Sequence, residues 1–92
     1  MIDIPMNKKL RDFDSEVDEA VKAVLADLTS PNRHAGALSV NHGCSYRHVM
    51  TDVARKVAEL FKAKGYHAHW CYAKDGVAYA LEVTTYPTEH DI

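Results

Sequence analysis

Three side chains able to bind metal or carry protons stand two residues apart at His67, His69 and Cys71. In an extended strand successive side chains alternate between faces, so all three project from one side. Glu82 faces His69 in the hairpin pairing derived below, and zinc accepts nitrogen, sulfur and carboxylate ligands of these kinds. The spacing argues against one shared ion. Same-face neighbours on a strand lie about 6.5–7 Å apart, whereas zinc ligands sit about 2.0–2.3 Å from the metal and so about 3–4 Å from each other. The set is read as a polar surface, with no metal and no cofactor.

A second cluster, His42-x-Cys44 followed by His48, matches no zinc-finger spacing. It reads as a turn leading into a capped helix. A helix N-terminus favours a thiolate at Cys44, but no general base, orienting group or oxyanion donor can be assigned around it, so a cysteine nucleophile is not supported. The surrounding stretch from Leu28 to Thr51 holds Arg33, His34, His42, Arg47 and His48 and no carboxylate. Backbone N–H groups at a helix start, together with the helix dipole, would let these residues receive a phosphate or an acidic partner. Tyr66, Trp70, Tyr72 and Tyr79 resemble a base-stacking platform in type, but they share their strand face with Leu81 and Val83 and are expected in the core. No phosphate loop, no nucleophile elbow and no carboxylate pair with an evident cleft is found, and the chain is not read as an enzyme.

The element that must position the histidine face is a hairpin from Tyr66 to Tyr86. Asp75-Gly76 between alternating aromatic and β-branched runs predicts a two-residue type I′ turn. That turn sets Lys74 against Val77, Tyr72 against Tyr79, Trp70 against Leu81 and Ala68 against Val83. One face then carries Trp70, Tyr72, Tyr79, Leu81 and Val83 into the core. The other carries His67, His69, Cys71, Ala78, Ala80 and Glu82, with His69 opposite Glu82.

Upstream, Leu10, Phe13, Val17, Val21, Val24, Leu25 and Leu28 recur at helical steps. They predict a helix over about 7–29, or one starting near Asp14 with Glu16, Asp18 and Glu19 favourably placed at the positive end of its dipole. Ser30-Pro31-Asn32 ends it. Gly36–Asn41 alternates as a short strand. Ser45 is the expected cap of a second helix whose buried face is Tyr46, Val49, Met50, Val53, Val57, Leu60 and Phe61, and Gly65 is its stop. The order α-β-α-β-β gives an α+β fold, a three-stranded sheet with both helices on one face. The last strand is central, and the His67, His69 and Cys71 face is left uncovered.

Ninety-two residues, 47% apolar and 26% charged, suit a single domain spanning 1–92, with an arm at 1–6 and a polar tail at 87–92. A net charge of −2 argues against wholesale polyanion binding. The N-terminal residues lack a signal-peptide core, and no run reaches membrane-spanning length, so an intracellular address with reduced Cys44 and Cys71 is expected.

The run from Gly36 through Leu60, Phe61, Gly65 and Tyr66 to the closing hairpin resembles a pattern common among small proteins of tailed bacteriophages. Such chains have a leading helix, a short strand, a helix ending in leucine, Gly-Tyr, and a terminal hairpin. Thr85 and Tyr86 stand where many of them close with tryptophan. The resemblance implies viral origin, in the virion or in the host cytoplasm. The resulting expectation is a non-enzymatic interaction protein, serving virion assembly or decoration, or binding and inhibiting a host protein. Its partner-binding or self-association face would be His67, His69, Cys71, Ala80 and Glu82. The alternative is a nucleic-acid-associated regulator using Arg33, His34, His42, Arg47 and His48.

Overall fold

A computed structural model of the chain describes residues 1–4, 12–32, 35–40 and 48–92. Helix α1 (Phe13–Leu28) starts at Asp12, whose carboxylate accepts the Ser15 N–H at 3.1 Å, with Asp14 and Glu16 in its first turn. This capping and the acidic first turn satisfy orphan donors and complement the helix dipole. The observed start agrees with the later of the two expected boundaries; residues 7–11 of the longer helix lie outside the described residues. Val17, Ala20 and Val24 form the buried stripe, while Leu25 at 40% exposure is outside it.

Four strands form the sheet where three were expected. They are β1 (Ala35–Val40), β2 (His48–Val49), β3 (His67–Tyr72) and β4 (Ala78–Thr84), arranged β2-β1-β4-β3. β2 runs parallel to β1, and the other pairings are antiparallel. β2 displaces the expected start of the second helix. His48 and Val49 pair with Ser39 and Val40, Met50 becomes the N-cap, and helix α2 covers Thr51–Lys62. Ser45 and Tyr46 lie outside the described residues. Helical apolar spacing upstream of Val53 therefore belongs partly to a strand, since two residues are too few to show an alternating period.

α2 buries Val53, Ala54, Val57, Ala58 and Phe61. Leu60, expected in this face, is 40% exposed. The helix ends in a Schellman arrangement at Gly65 (φ 91°): Gly65 N–H donates to Lys62 O at 3.1 Å and Tyr66 N–H to Phe61 O at 3.1 Å. The hydrophobic contact that accompanies this motif is the edge-to-face stacking of Phe61 and Tyr66, with ring centroids 5.3 Å apart.

Register places the core. Leu38, Leu81 and Trp70 form one cross-strand row, and Gly36, Val83 and Ala68 the next. Leu38, Leu81, Val83 and Ala68 are fully buried in one cluster with Val17, Val24, Val53, Val57 and Phe61. Residues of both helices thus join one sheet face in a single core, and the last strand is central as expected. At Gly36 α1 and β1 approach closely: a Cβ there would lie 2.7 Å from Val24 Cγ1 and 3.0 Å from Val24 O.

The hairpin loop differs from the type I′ expectation. Gly76 N–H donates to Ala73 O at 2.9 Å, Ala73 N–H donates to Val77 O at 3.0 Å, and Gly76 has φ 84°. This is a three-residue loop, Lys74-Asp75-Gly76, closed by a left-handed glycine. The Asp75 carboxylate accepts the Val77 N–H at 3.1 Å. Such a loop shifts pairing by one residue, putting Tyr72 opposite Ala78, and an irregularity at Cys71/Tyr72 shifts it back, so that Cys71 meets Ala80 and Trp70 meets Leu81. The two offsets cancel. Beyond the irregularity the expected burial fails: Tyr72 is 59% exposed and Tyr79 38%.

Candidate functional site

Three rows of side chains cross the sheet face away from the helices. They are Ser39, Ala80 and Cys71; Ala37, Glu82 and His69; and Ala35, Thr84 and His67. The expected grouping of His67, His69, Cys71, Ala80 and Glu82 on one face is therefore present. The expectation that this face is bare is corrected at its centre, where Ser39 and Thr84 are fully buried and Ala80 is 2% exposed. Ala80 is a buried residue and not a contact surface. The accessible polar groups are His67, Cys71 and Glu82, with His69 mostly covered.

His69 Nε2 lies 3.1 Å from Glu82 Oε1, the cross-strand pair that the register creates. Its Nδ1 is buried with no hydrogen-bond partner among the described residues. His67 is held from another direction: its Nδ1 is 2.7 Å from Asp91 Oδ2. Asp91 Oδ1 also accepts the Thr88 backbone N–H and the Thr88 hydroxyl. The Thr88 hydroxyl foremost holds the Asp91 carboxyl below its usual pKa; desolvation opposes it, and the Thr88 N–H and the neighbouring His67 add smaller downward contributions.

The 87–92 segment, expected as a polar tail, lies against the edge of the sheet: Asp91 bridges antiparallel to His69, and Ile92 N–H donates to Ala68 O at 2.9 Å. The signal for this was present: Thr88-Glu89-His90-Asp91 has the hydroxyl-x-x-acid spacing that closes a turn on itself. Asp91 is the site residue that reading the hairpin alone misses.

Each imidazole is thus paired with a different carboxylate, and among the described residues no group of three or more His, Cys, Asp or Glu side chains is placed to hold a metal ion. Cys71 is a half-buried thiol on the same face. Of the anion-binding set, Arg33, His34, His42 and Arg47 lie outside the described residues, and His48 is an exposed residue of β2. Among the described residues no helix is long and apolar enough to cross a membrane.

Fold and site together define a small α+β domain in which two helices back a four-stranded mixed sheet with a histidine- and carboxylate-bearing outer face. Comparison with family models, characterised proteins and solved structures finds no match.

Proposed function

We propose that the chain is a small, non-enzymatic protein-interaction domain that meets its partner, or a second copy, through His67, His69, Cys71 and Glu82. One observation carries this reading. The polar groups of the face are already held in place, by the His69–Glu82 contact at 3.1 Å and the His67–Asp91 contact at 2.7 Å, beside the short side chains of Ala35 and Ala37. A flat surface with ordered donors and acceptors loses little conformational entropy when a partner covers it.

The resemblance to tailed-bacteriophage proteins supports a setting in virion assembly or decoration, or in capture of a host protein, within the host cytoplasm or the virion. The second reading, a nucleic-acid-associated regulator, rests on the carboxylate-free stretch from Leu28 to Thr51. Binding to labelled DNA and RNA over a salt series separates the two, because phosphate contacts weaken steeply as salt rises.

The test of the interaction face is Glu82→Arg. His69 is mostly covered, so loss of its Glu82 partner costs about 1–3 kcal/mol. The variant is expected to remain folded by circular dichroism and to lose partner capture from expressing cells, or self-association in sedimentation. Undiminished association in the folded variant contradicts the proposal. Ala80→Arg is unsuitable, since Ala80 is buried and a long charged side chain there disrupts the sheet.

A further inference from the structure

β3 is an edge strand of the sheet. Edge strands offer backbone donors and acceptors to any added strand, and side chains alternating along the added strand supply specificity. Here the edge already has an occupant. Asp91 bridges to His69, Ile92 N–H donates to Ala68 O at 2.9 Å, and Asp91 Oδ2 meets His67 Nδ1 at 2.7 Å. Ile92 lies on the other side of the added strand, where it forms one wall of a cleft of about 270 Å³ with Arg55, Ala58, Glu59, Lys62 and Trp70. Two consecutive residues thus meet opposite faces, a carboxylate against a histidine and an aliphatic side chain beside the tryptophan and α2.

We propose that the outer edge of β3 is a docking edge for an extended protein segment carrying an acidic residue followed by an aliphatic one, and that Thr88–Ile92 is its built-in competitor. This rests on the reading of the chain as an interaction domain and names the chemistry of its partner. The tail holds the edge lightly. It makes one bridge and one backbone hydrogen bond to β3, and Ile92 stays 42% exposed. Weakly packed segments open at low free-energy cost. Backbone groups of alternate residues point the same way in a strand, so Trp70 and Tyr72 present theirs to the edge where Ala68 O receives Ile92. A partner strand that continues along Trp70 and Tyr72 gains pairing beyond the tail's single bridge.

The chain's one tryptophan is Trp70, beside the Ile92 cleft, so its fluorescence reports occupancy. The probe is a synthetic peptide with the sequence of residues 85–92, titrated into the full chain carrying Asp91→Ala, with circular dichroism to verify the fold. A saturable change in Trp70 emission is expected. Affinity should fall at least tenfold when alanine replaces the peptide's own aspartate, and at least tenfold in the wild-type chain, where the tethered tail competes. Adding His67→Ala to the chain should erase the peptide's preference for aspartate. Ile92→Asp serves as a second tail-releasing variant. Absence of saturable binding to a folded released variant overturns the proposal, as does equal binding by the wild-type chain. Unfolding of both released variants overturns it too, since the tail would then belong to the core. If the peptide fails while Glu82→Arg still blocks partner capture, the edge is rejected and the interaction role stands. If neither has an effect, both fall.

Discussion

Gly36→Ala should destabilise the protein although alanine is the better strand residue. In isolation, replacing glycine within a strand gains about 0.5–1 kcal/mol through lower unfolded-state entropy. At Gly36 the added Cβ meets Val24 Cγ1 at 2.7 Å, Val24 O at 3.0 Å and Val24 Cα at 3.1 Å. The first contact is with a side-chain methyl, but the other two are with helix backbone, which moves only if α1 lifts from β1. Overpacking of this kind costs about 1–3 kcal/mol, so the net loss is about 1–2 kcal/mol. For a domain of this size that lowers the Tm by roughly 5–15 °C. The assay is thermal and urea unfolding of four proteins: parent, Gly36→Ala, Val24→Ala and the double variant. Truncating Val24 removes the methyl contact and leaves both backbone contacts, so the cycle should show partial relief only. A Gly36→Ala melting point equal to or above the parent's would refute the close approach of α1 and β1.

Val57 is fully buried and Leu60 is 40% exposed, so Val57→Asp should cost several kcal/mol and Leu60→Asp about 1 kcal/mol or less in urea unfolding; equal losses would show the phase of α2 to be wrong. Gly65 has φ 91° with nothing within 4 Å of a prospective Cβ, so Gly65→Ala should cost about 1–2 kcal/mol purely through backbone strain, and a neutral outcome would remove the Schellman end. The Thr88 hydroxyl foremost, and His67 to a lesser degree, lower the Asp91 pKa, so the contribution of these contacts is fully present above the free carboxyl value of about 3.9 and is lost as pH falls through the lowered value. Trp70 emission should therefore show an acid transition below about pH 4 that Asp91→Asn abolishes; release of the tail only as pH rises would contradict the assignment.

The legible part of this fold is the part with a repeating period. The α1 stripe and the stop at Gly65 follow from spacing and capping chemistry. The loop length does not, because Asp-Gly suits both a two-residue type I′ turn and a three-residue loop ending in a left-handed glycine. The compensating irregularity at Cys71/Tyr72 then preserved the inner register while leaving Tyr72 and Tyr79 exposed. β2 was illegible since His48 and Val49 are too few to show alternation, and Val49 also fits the helical spacing of Val53. At the histidine face the alternation groups His67, His69, Cys71, Ala80 and Glu82 correctly, while Ala78, expected with them, pairs with Tyr72 beyond the irregularity and lines a cleft with Val40, Thr51, Arg55 and Trp70. Burial of Ala80 and docking of Asp91 on β3 depend on tertiary packing; the Thr88-x-x-Asp91 spacing encodes the local turn but not the edge on which it lands.

The most direct test of the interaction surface is to map backbone amide shifts by NMR when a captured partner is added to the labelled chain. The account predicts the largest changes at His67, His69, Cys71 and Glu82, with small ones at Leu25 and Leu60. Changes confined to the α1–α2 side around Leu25 and Leu60, or to His48 and the residues preceding it, would contradict it.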